Sequence, residues 1–414
     1  MKLAFHDYCG HPFQFDLSRE LAHRGHEVRH FFFAEDMGPK GVTHRLPGDP
    51  ENFSIEPISI GRAYSKQNLI RRREADILYG KLASKRIASF APDVTISGNT
   101  PLEAQAPILR SAHRGGSAFV FWMQDFYSWG AAKILKRKIP VLGYIISAYY
   151  THLEADMLRR SDGIVLVSED FRPALGSFGV RAEDSDVIPN WGALDTLALR
   201  PKDNAWSKEH GLGGKFVFLY SGTLAMKHNP DLLWAVAKHF ENDANVVVVV
   251  AASGVSFDAL KARSAVEPKP NLMFLPLQPM ENFSYVLGSA DVVIGLLEND
   301  AGEFSVPSKV LSYLCAGRAI LLSAPPSNLS VRLVEQSSAG ICVPAGDKEG
   351  FVTAADRLRS DAKLCARLGA AGRAYAEHAF DLSLVADRFE AVFAKAIARS
   401  ARGGQRINGR SRTI

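Results

Sequence analysis

The sequence contains little cysteine, little net charge and no long apolar segment. Its 414 residues include four cysteines with no C-x-x-C spacing and no histidines at zinc-ligand intervals, which excludes a disulfide scaffold and a structural zinc site. Lysine and arginine number 49 against 44 for aspartate and glutamate, and a net charge of +5 does not favour a nucleic-acid-binding protein. His6 and Asp7 interrupt the first apolar residues too early for a signal peptide.

One apolar segment, Ile139–Tyr150, is worth testing as a membrane span. Its twelve residues contain Pro140 and Gly143, and they are fewer than the roughly 20 needed to cross a bilayer. Basic residues beside it favour contact with an anionic membrane, although an interior helix with a solvated basic end fits the pattern equally. We therefore expect a cytoplasmic protein, with peripheral contact with the inner face of the cytoplasmic membrane as an open alternative. The residues concerned are 133–150, with Lys133, Lys136, Arg137 and Lys138, and the triplet Arg71–Arg73.

The order of strand and helix signals predicts two α/β domains. A chain of this length, with 47% hydrophobic and 22% charged residues, favours two globular domains. Short apolar segments typical of buried parallel strands alternate with longer amphipathic helices in two successive sets. We expect an N-terminal domain over residues 1–198, a second domain over 205–379, a helix at 380–399 that crosses back to the first, and a basic disordered tail at 400–414.

The segment Tyr220–Pro230 has the composition of an anion-binding turn. A predicted apolar strand ends at Gly222, and a short loop that carries Lys227 leads to a helix beginning at Pro230. Glycine lets a ligand approach the backbone closely, and the N–H groups of a helix start beside a lysine suit a diphosphate. An ordinary strand-to-helix turn with a solvated lysine fits the same residues. A Walker P-loop is excluded, because G-x-x-x-x-G-K-[ST] does not occur.

A second polar segment that leads into a predicted helix lies between Glu298 and Ile320. Pro307 and Ser308 stand at the predicted helix start, after an acidic loop that contains glycine. Ser308 can cap the helix or offer its hydroxyl to a phosphate. A capped helix that packs its apolar side into the core accounts for part of this segment, but not for the acidic approach.

These segments, with two others, resemble the GT-B glycosyltransferases of family 4, and most closely the bacterial polysaccharide and O-antigen sugar transferases. The resemblance extends from Lys2 to about Phe393. It implies two Rossmann-like, doubly wound parallel-sheet domains facing a central cleft, and retaining transfer of a hexosyl or N-acetylhexosaminyl group from a nucleotide diphosphate. The segments that carry it are HDYCG (6–10), GIVLVSEDFRPAL (163–175), IPNWGALD (188–195), SGTLAMKHNP (221–230) and FSVPSKVLSYLCAGRAI (304–320).

The resemblance implies that the second domain holds the nucleotide. Lys227 matches the family's phosphate-binding lysine and is assigned a catalytic role. Thr223 stands where the family often has arginine, and we expect Lys309 to supply the missing charge. The diphosphate-binding set is Gly222, Thr223, Lys227, Pro307, Ser308 and Lys309.

The sequence departs from the family at a pair of glutamates, whose positions are Phe304 and Ser312 here. Glu303 lies one residue out of register, and we expect it to contact the sugar as a catalytic residue. Ser312 would make a weaker contact with the ribose than a carboxylate makes.

In the first domain the resemblance places the acceptor side at Gly10, His11, Gln124 and Asp125. Gln124 takes the place of a histidine that the family often has. Asp125 is expected to contact the sugar or to orient the acceptor, although a helix cap is the open alternative. Retaining transfer needs no strong base when the departing phosphate accepts the acceptor's proton.

Asp184-Ser185-Asp186 matches the D-x-D pattern of metal-dependent transferases, but we expect a solvated loop and no metal site.

The implied partners are a nucleotide-sugar donor and a glycan or polyprenyl-diphosphate-linked acceptor, with no nucleic acid. We expect a UDP-sugar as substrate and no required cofactor, with Mg²⁺ as a modulator of nucleotide binding. Two alternatives remain open, a nucleotide-sugar epimerase of the same architecture and a non-catalytic sugar-nucleotide-binding subunit. The departures at Thr223, Phe304 and Ser312 leave room for the second.

Overall fold

The computed structural model describes residues 1–36, 40–64, 68–194, 196–225, 228–299 and 308–410, with only the backbone at 134, 137, 138, 140 and 403–410. The chain divides into two compact units. The first unit consists of Met1–Asn190 and Leu382–Ile414, and the second consists of Trp191–Asp381.

A parallel sheet of seven strands forms the first unit. Its strands are β1 (Lys2–Asp7), β2 (Glu27–Phe33), β3 (Phe53–Ile58), β4 (Val94–Gly98), β5 (Ala118–Met123), β6 (Gly163–Leu166) and β7 (Ser185–Val187). They lie in the order β3-β2-β1-β4-β5-β6-β7. Every residue of β5 is buried, as expected for an apolar strand that helices cover on both faces.

Helices connect these strands. They are α1 (Pro12–His23), α2 (Leu69–Phe90), α3 (Leu102–Arg114), α4 (Tyr127–Lys138), α5 (Pro140–Arg160) and the single turn α6 (Arg172–Leu175). Proline stands at the first position of α1, where its missing N–H removes no helical hydrogen bond. The Asn68 side chain caps α2 by accepting a hydrogen bond from the Arg71 N–H at 3.1 Å.

A parallel sheet of six strands forms the second unit. Its strands are β8 (Phe216–Thr223), β9 (Val246–Ser253), β10 (Leu272–Leu275), β11 (Val292–Leu296), β12 (Ala319–Ala324) and β13 (Gly340–Pro344), in the order β10-β9-β8-β11-β12-β13. The helices are α7 (Ala205–Glu209), α8 (Pro230–His239), α9 (Val255–Val266), α10 (Phe283–Gly288), α11 (Ser308–Ala316), α12 (Leu329–Gln336), α13 (Lys348–Ser360) and α14 (Ala362–Ala379).

The last helix, α15 (Leu382–Arg410), packs on the sheet of the first unit. The Phe389 ring lies 4.9 Å from that of Trp122 on β5, measured between centroids. Residues 400–410, which the sequence predicts as part of a disordered tail, continue this helix.

The D-x-D pattern is part of this docking rather than a solvated loop. Asp184 pairs with Arg399 at 2.8 Å, and Asp186 on β7 pairs with Lys395 at 2.6 Å, so both carboxylates face cations of α15.

Both sheets have the doubly wound strand order that the sequence predicts, and this fold class is confirmed. In each sheet the strand order reverses once, between β1 and β4 and between β8 and β11. Ligands of such sheets bind beyond the carboxyl ends of the strands at this switch point. The residues that follow β1, β4, β8 and β11 are therefore the first place to look for a site. In the described part of the chain, no helix is both long and apolar enough to cross a bilayer.

Candidate functional site

The switch point of the second unit contains Gly222, at the end of β8. Its φ of +114° is a conformation that L-residues with a side chain rarely adopt. A Cβ at this position would lie 2.8 Å from Cε of Lys309. The backbone conformation therefore favours glycine here, and a larger residue would also make the Lys309 side chain shift.

The Lys309 side chain lies along Tyr220 and reaches the last residues of β8. Its Nζ donates hydrogen bonds to the Tyr220 hydroxyl and, at 2.9 Å, to the carbonyl of Thr223. The same Nζ lies 4.0 Å from the centroid of the Tyr220 ring, a cation–π contact. The structure thus brings together three predicted donor-site residues, Gly222, Thr223 and Lys309, and it places a positive charge beside Thr223.

Tyr220 connects this lysine to the loop that follows β8. Its hydroxyl donates to the Thr223 carbonyl at 2.7 Å and lies 3.3 Å from Nδ1 of His228. Burial raises the pKa of Tyr220 well above its ordinary value, so the phenol stays protonated. The Ala225 N–H donates to His228 Nδ1 at 3.0 Å, which requires Nδ1 to be an acceptor and places the ring proton on Nε2. Tyr220 was not predicted as a site residue, although a buried tyrosine in an apolar strand signals a hydrogen-bond partner.

Helix α11 begins beside this group at Ser308, which is exposed. Buried Tyr313 anchors the helix by donating to the Ile294 carbonyl of β11 at 3.1 Å. Ser312 donates to the carbonyl of Ser308 at 3.4 Å, within the helix. Three predicted residues of this site, Lys227, Glu303 and Pro307, lie outside the described residues.

The switch point of the first unit is organised by Asp7, which was not predicted. Asp7 ends β1 opposite Gly98 of β4, and its carboxylate accepts hydrogen bonds from the N–H groups of Cys9 (3.2 Å) and His11. Burial favours a higher pKa for Asp7, but the charge and hydrogen bonds of His11 outweigh it and hold the pKa below its ordinary value. The turn through Gly10, whose φ is +75°, therefore wraps around a carboxylate.

Two histidines near this turn have different surroundings. His11 is partly exposed, and its Nδ1 lies 3.3 Å from Asp7 Oδ1 and 3.2 Å from the Asn99 side-chain amide. His6 is fully buried, between the hydroxyls of Ser97 (2.9 Å) and Tyr79 (2.8 Å). Burial lowers the pKa of His6 to about 4, so His6 is neutral near pH 7 and is part of the core.

The end of β5 carries the predicted residues Gln124 and Asp125. Gln124 and Asn190 exchange two side-chain hydrogen bonds, at 3.2 and 2.6 Å. The amide of Gln124 cannot serve as a base, and its partner Asn190 lies within the IPNWGALD segment. Asp125 follows Gln124 and is exposed.

The predicted residues thus fall into two groups. Gly222, Thr223, Ser308 and Lys309 lie at the switch point of the second unit, while Gly10 and His11 lie at that of the first, with Gln124 and Asp125 at the end of the next strand. Among the residues for which side chains are described, no group of three or more histidine, cysteine, aspartate or glutamate side chains is arranged to hold a metal ion.

Two family models match the chain, one in each unit. The model described as "Glycosyltransferase Family 4" matches residues 14–192, and the model described as "Glycosyl transferases group 1" matches residues 202–375. A curated relative, the putative colanic acid biosynthesis glycosyl transferase WcaI of Escherichia coli K12, is 23% identical over 321 residues. The match covers 74% of this chain and 77% of the relative.

Solved structures of the same fold extend over nearly the whole chain. The crystal structure of Anabaena HepE with UDP and glucose has a TM-score of 0.68 at 14% identity, covering 95% of this chain and 99% of that one. Sucrose-phosphate synthase from Thermosynechococcus elongatus has a TM-score of 0.70 at 12% identity, with coverage of 96% and 100%. WaaG, described as a glycosyltransferase involved in lipopolysaccharide biosynthesis, has a TM-score of 0.65 at 14% identity, with coverage of 94% and 98%.

Proposed function

The chain belongs to the GT-B glycosyltransferases of family 4, and we propose that it transfers a sugar, with retention of configuration, from a UDP-sugar to a glycan or lipid-linked glycan of a bacterial surface polysaccharide. The proposed donor site rests on one observation: the Lys309 ammonium lies beside Gly222 and Thr223 at the switch point of the second unit. HepE supports the choice of nucleotide, since its structure contains UDP, and the names of WcaI and WaaG support the product class.

The proposed role of the second unit follows from the charge of the leaving group. Breaking the bond between sugar and phosphate leaves negative charge on the departing diphosphate. Lys309 and the first turn of α11, which begins at Ser308, present a cation and helix N–H groups where that charge would develop. Lys227 would add a second cation, and Pro307 would shape the approach to α11.

Sugar and ribose contacts are assigned to the residues around α11. We propose that Glu303 accepts hydrogen bonds from sugar hydroxyls. Ser312 would turn its hydroxyl from the Ser308 carbonyl, to which it bonds at 3.4 Å, toward the ribose. Mg²⁺, if it binds, would coordinate the diphosphate and modulate affinity, and no other cofactor is proposed.

The first unit would receive the acceptor at Gly10, His11, Gln124 and Asp125. Gln124 has an amide, which cannot act as a base, so the proton of the acceptor would pass to the departing phosphate. Asp125 would orient the acceptor hydroxyl, since its exposed carboxylate follows β5 directly.

The proposal is tested first by thermal unfolding with UDP, GDP, ADP and CMP, each with Mg²⁺ and with EDTA. A ligand specific for the folded state stabilises it by about 2.7 kcal/mol at 100 times its dissociation constant. We expect a shift with UDP that is lost in Lys309→Met and in Lys227→Ala but kept in Lys261→Met, a matched exposed lysine on α9. No shift with any nucleotide would refute the donor site.

Turnover is then measured with UDP-sugars and candidate acceptors, following UDP release and sugar transfer separately. Lys227→Ala is expected to lose at least about 10²-fold in rate, the usual effect of removing one preorganised charge donor. An altered UDP-sugar formed without any acceptor would indicate an epimerase instead, and UDP binding without turnover on any acceptor would indicate a non-catalytic subunit.

A further inference from the structure

Tyr220 on β8 lies in contact with the lysine of the proposed donor site, and none of the roles argued so far uses its hydroxyl. The side chain is fully buried. The Lys309 Nζ donates a hydrogen bond to the Tyr220 hydroxyl and lies 4.0 Å from the centroid of the ring. The ammonium therefore contacts both the polar and the aromatic part of one enclosed side chain.

The hydrogen-bond roles of the Tyr220 hydroxyl follow from its partners. An ammonium can only donate, so the phenol oxygen accepts the hydrogen bond from Lys309. The phenol proton goes to the Thr223 carbonyl at 2.7 Å, and Lys309 donates to the same carbonyl at 2.9 Å. Ammonium, phenol and carbonyl thus form a closed triangle of hydrogen bonds at the end of β8.

The triangle restricts a side chain that is otherwise flexible. Lysine has a flexible four-carbon stem, and it loses rotamer entropy when its end is fixed. Lys309 stands in the first turn of α11, so its contact with Tyr220 joins this helix to the end of β8. A charge that is fixed before the ligand arrives leaves less ordering to be done on binding.

The same hydroxyl also contacts the loop that follows β8. It lies 3.3 Å from Nδ1 of His228, and that nitrogen accepts a hydrogen bond from the Ala225 N–H at 3.0 Å. Tyr220 therefore touches both parts of the proposed diphosphate site, the cation from α11 and the loop that leads to α8.

We propose that Tyr220 is a positioning residue whose hydroxyl fixes the Lys309 ammonium beside Thr223, where it would meet the diphosphate of the donor. The inference rests on the proposed donor site. Tyr220 acts through Lys309 and not by touching the ligand, because its side chain is fully buried.

The test begins with UDP affinity, measured by calorimetry on the full chain. Tyr220→Phe keeps the ring and removes only the hydroxyl. It should raise the dissociation constant for UDP about three- to tenfold, the usual net effect of one hydrogen bond. A tyrosine that only stabilises the fold would lower the melting temperature on substitution and leave UDP affinity unchanged.

A double-mutant cycle without nucleotide then asks whether the hydroxyl acts on the lysine. In urea unfolding, Tyr220→Phe should destabilise the Lys309→Met chain less than it destabilises the wild type, because one partner of the hydroxyl is already gone. Tyr285→Phe on α10 is the matched control, since its ring also faces a cation, with Arg200 Cζ at 4.2 Å, and its UDP affinity should equal that of wild type. Circular dichroism establishes that each variant is folded.

The outcomes separate this proposal from the donor site on which it rests. UDP affinity of folded Tyr220→Phe equal to that of wild type, or additive effects in the urea cycle, would overturn the positioning role and leave the donor site standing. Tighter UDP binding by Tyr220→Phe would mean that the hydroxyl holds the lysine away from the ligand, and would overturn it too. A wild type that does not bind UDP would refute the donor site itself, and the role of Tyr220 with it.

Discussion

At the residue scale, the proposed donor site contains a glycine, Gly222, whose substitution is expected to have two separable effects. An alanine at Gly222 would have to adopt φ near +114°, and its Cβ would push against Lys309. Such a backbone conformation costs on the order of 1–3 kcal/mol in a residue with a side chain. We expect Gly222→Ala to lower the melting temperature and to raise the dissociation constant for UDP at least about tenfold by calorimetry.

A matched control comes from the same unit. Gly213 has an ordinary φ and no atom within 4 Å of a Cβ at that position, so Gly213→Ala should leave UDP affinity unchanged. Equal UDP affinity in Gly222→Ala and wild type would show that the nucleotide does not approach this turn.

Also at the residue scale, buried His6 makes stability depend on pH. Burial lowers the pKa of His6 to about 4 from an ordinary 6.5, so its stabilising contribution is present above pH 6.5 and is lost as the pH falls toward 4. The full difference amounts to on the order of 3 kcal/mol for a group this deeply buried. Burial raises the pKa values of Glu154 and Asp76 to about 7 and about 6. Their contributions to the free energy of unfolding are therefore lost as the pH rises, whereas that of His6 is lost as the pH falls.

The contribution of His6 is therefore measured as a difference between two proteins. Urea unfolding of wild type and of His6→Gln, at pH values from 7 to 4.5, should give free energies of unfolding that converge as the pH falls. His23→Gln, at an exposed position of α1, serves as the control and should follow the wild type at each pH. Parallel curves for His6→Gln and wild type would mean that His6 is not held neutral by the fold.

At the element scale, α15 completes the core of the first unit. Phe389 is fully buried and packs on Trp122, while Arg24 of the segment after α1 pairs with Asp387 and Glu390. We expect Phe389→Ala to lower the free energy of unfolding by about 3–5 kcal/mol, the usual cost of emptying a buried aromatic site. Leu384→Ala on the same helix, 51% exposed, should change it by less than about 0.5 kcal/mol in urea titrations. Equal effects of the two substitutions would contradict the docking.

The same scale shows what could be predicted from the sequence. Short continuous apolar segments predict β8, β9 and β11, because these strands are buried on both faces. The expectation of a solvated loop at the D-x-D pattern is wrong, because the partners of its carboxylates lie more than 200 residues away on α15.

The candidate site, too, could be predicted from the sequence only in part. Gly222 and Lys309 were expected from local sequence patterns and resemblance. Asp7 and the pairing of Gln124 with Asn190 were not, because they depend on which strand ends the sheet order brings together, and no local pattern encodes that order.

At the scale of the whole molecule, the sheets of the two units have the same order over six strands, and each sheet therefore has its own switch point. Their chemistry differs. In the second unit Lys309 offers a cation beside the start of a helix, which suits a diphosphate. In the first unit the turn after β1 wraps around the Asp7 carboxylate, which disfavours an anion at the same position. This difference in side-chain charge is the reason for proposing that the second unit binds the donor and the first unit the acceptor.

This division predicts where UDP should slow amide hydrogen exchange. The greatest protection is expected in segments 220–225 and 308–314, because the ligand would restrict the end of β8 and the first turns of α11. Segments 7–11 and 98–100 of the first unit should change less with UDP alone, since Asp7 repels the diphosphate there. The comparison is made by mass spectrometry with and without saturating UDP, and Lys309→Met under the same conditions should lose the protection in both segments of the second unit. Greater protection at 7–11 than at 220–225 would move the nucleotide to the first unit and reverse the assignment of donor and acceptor sides.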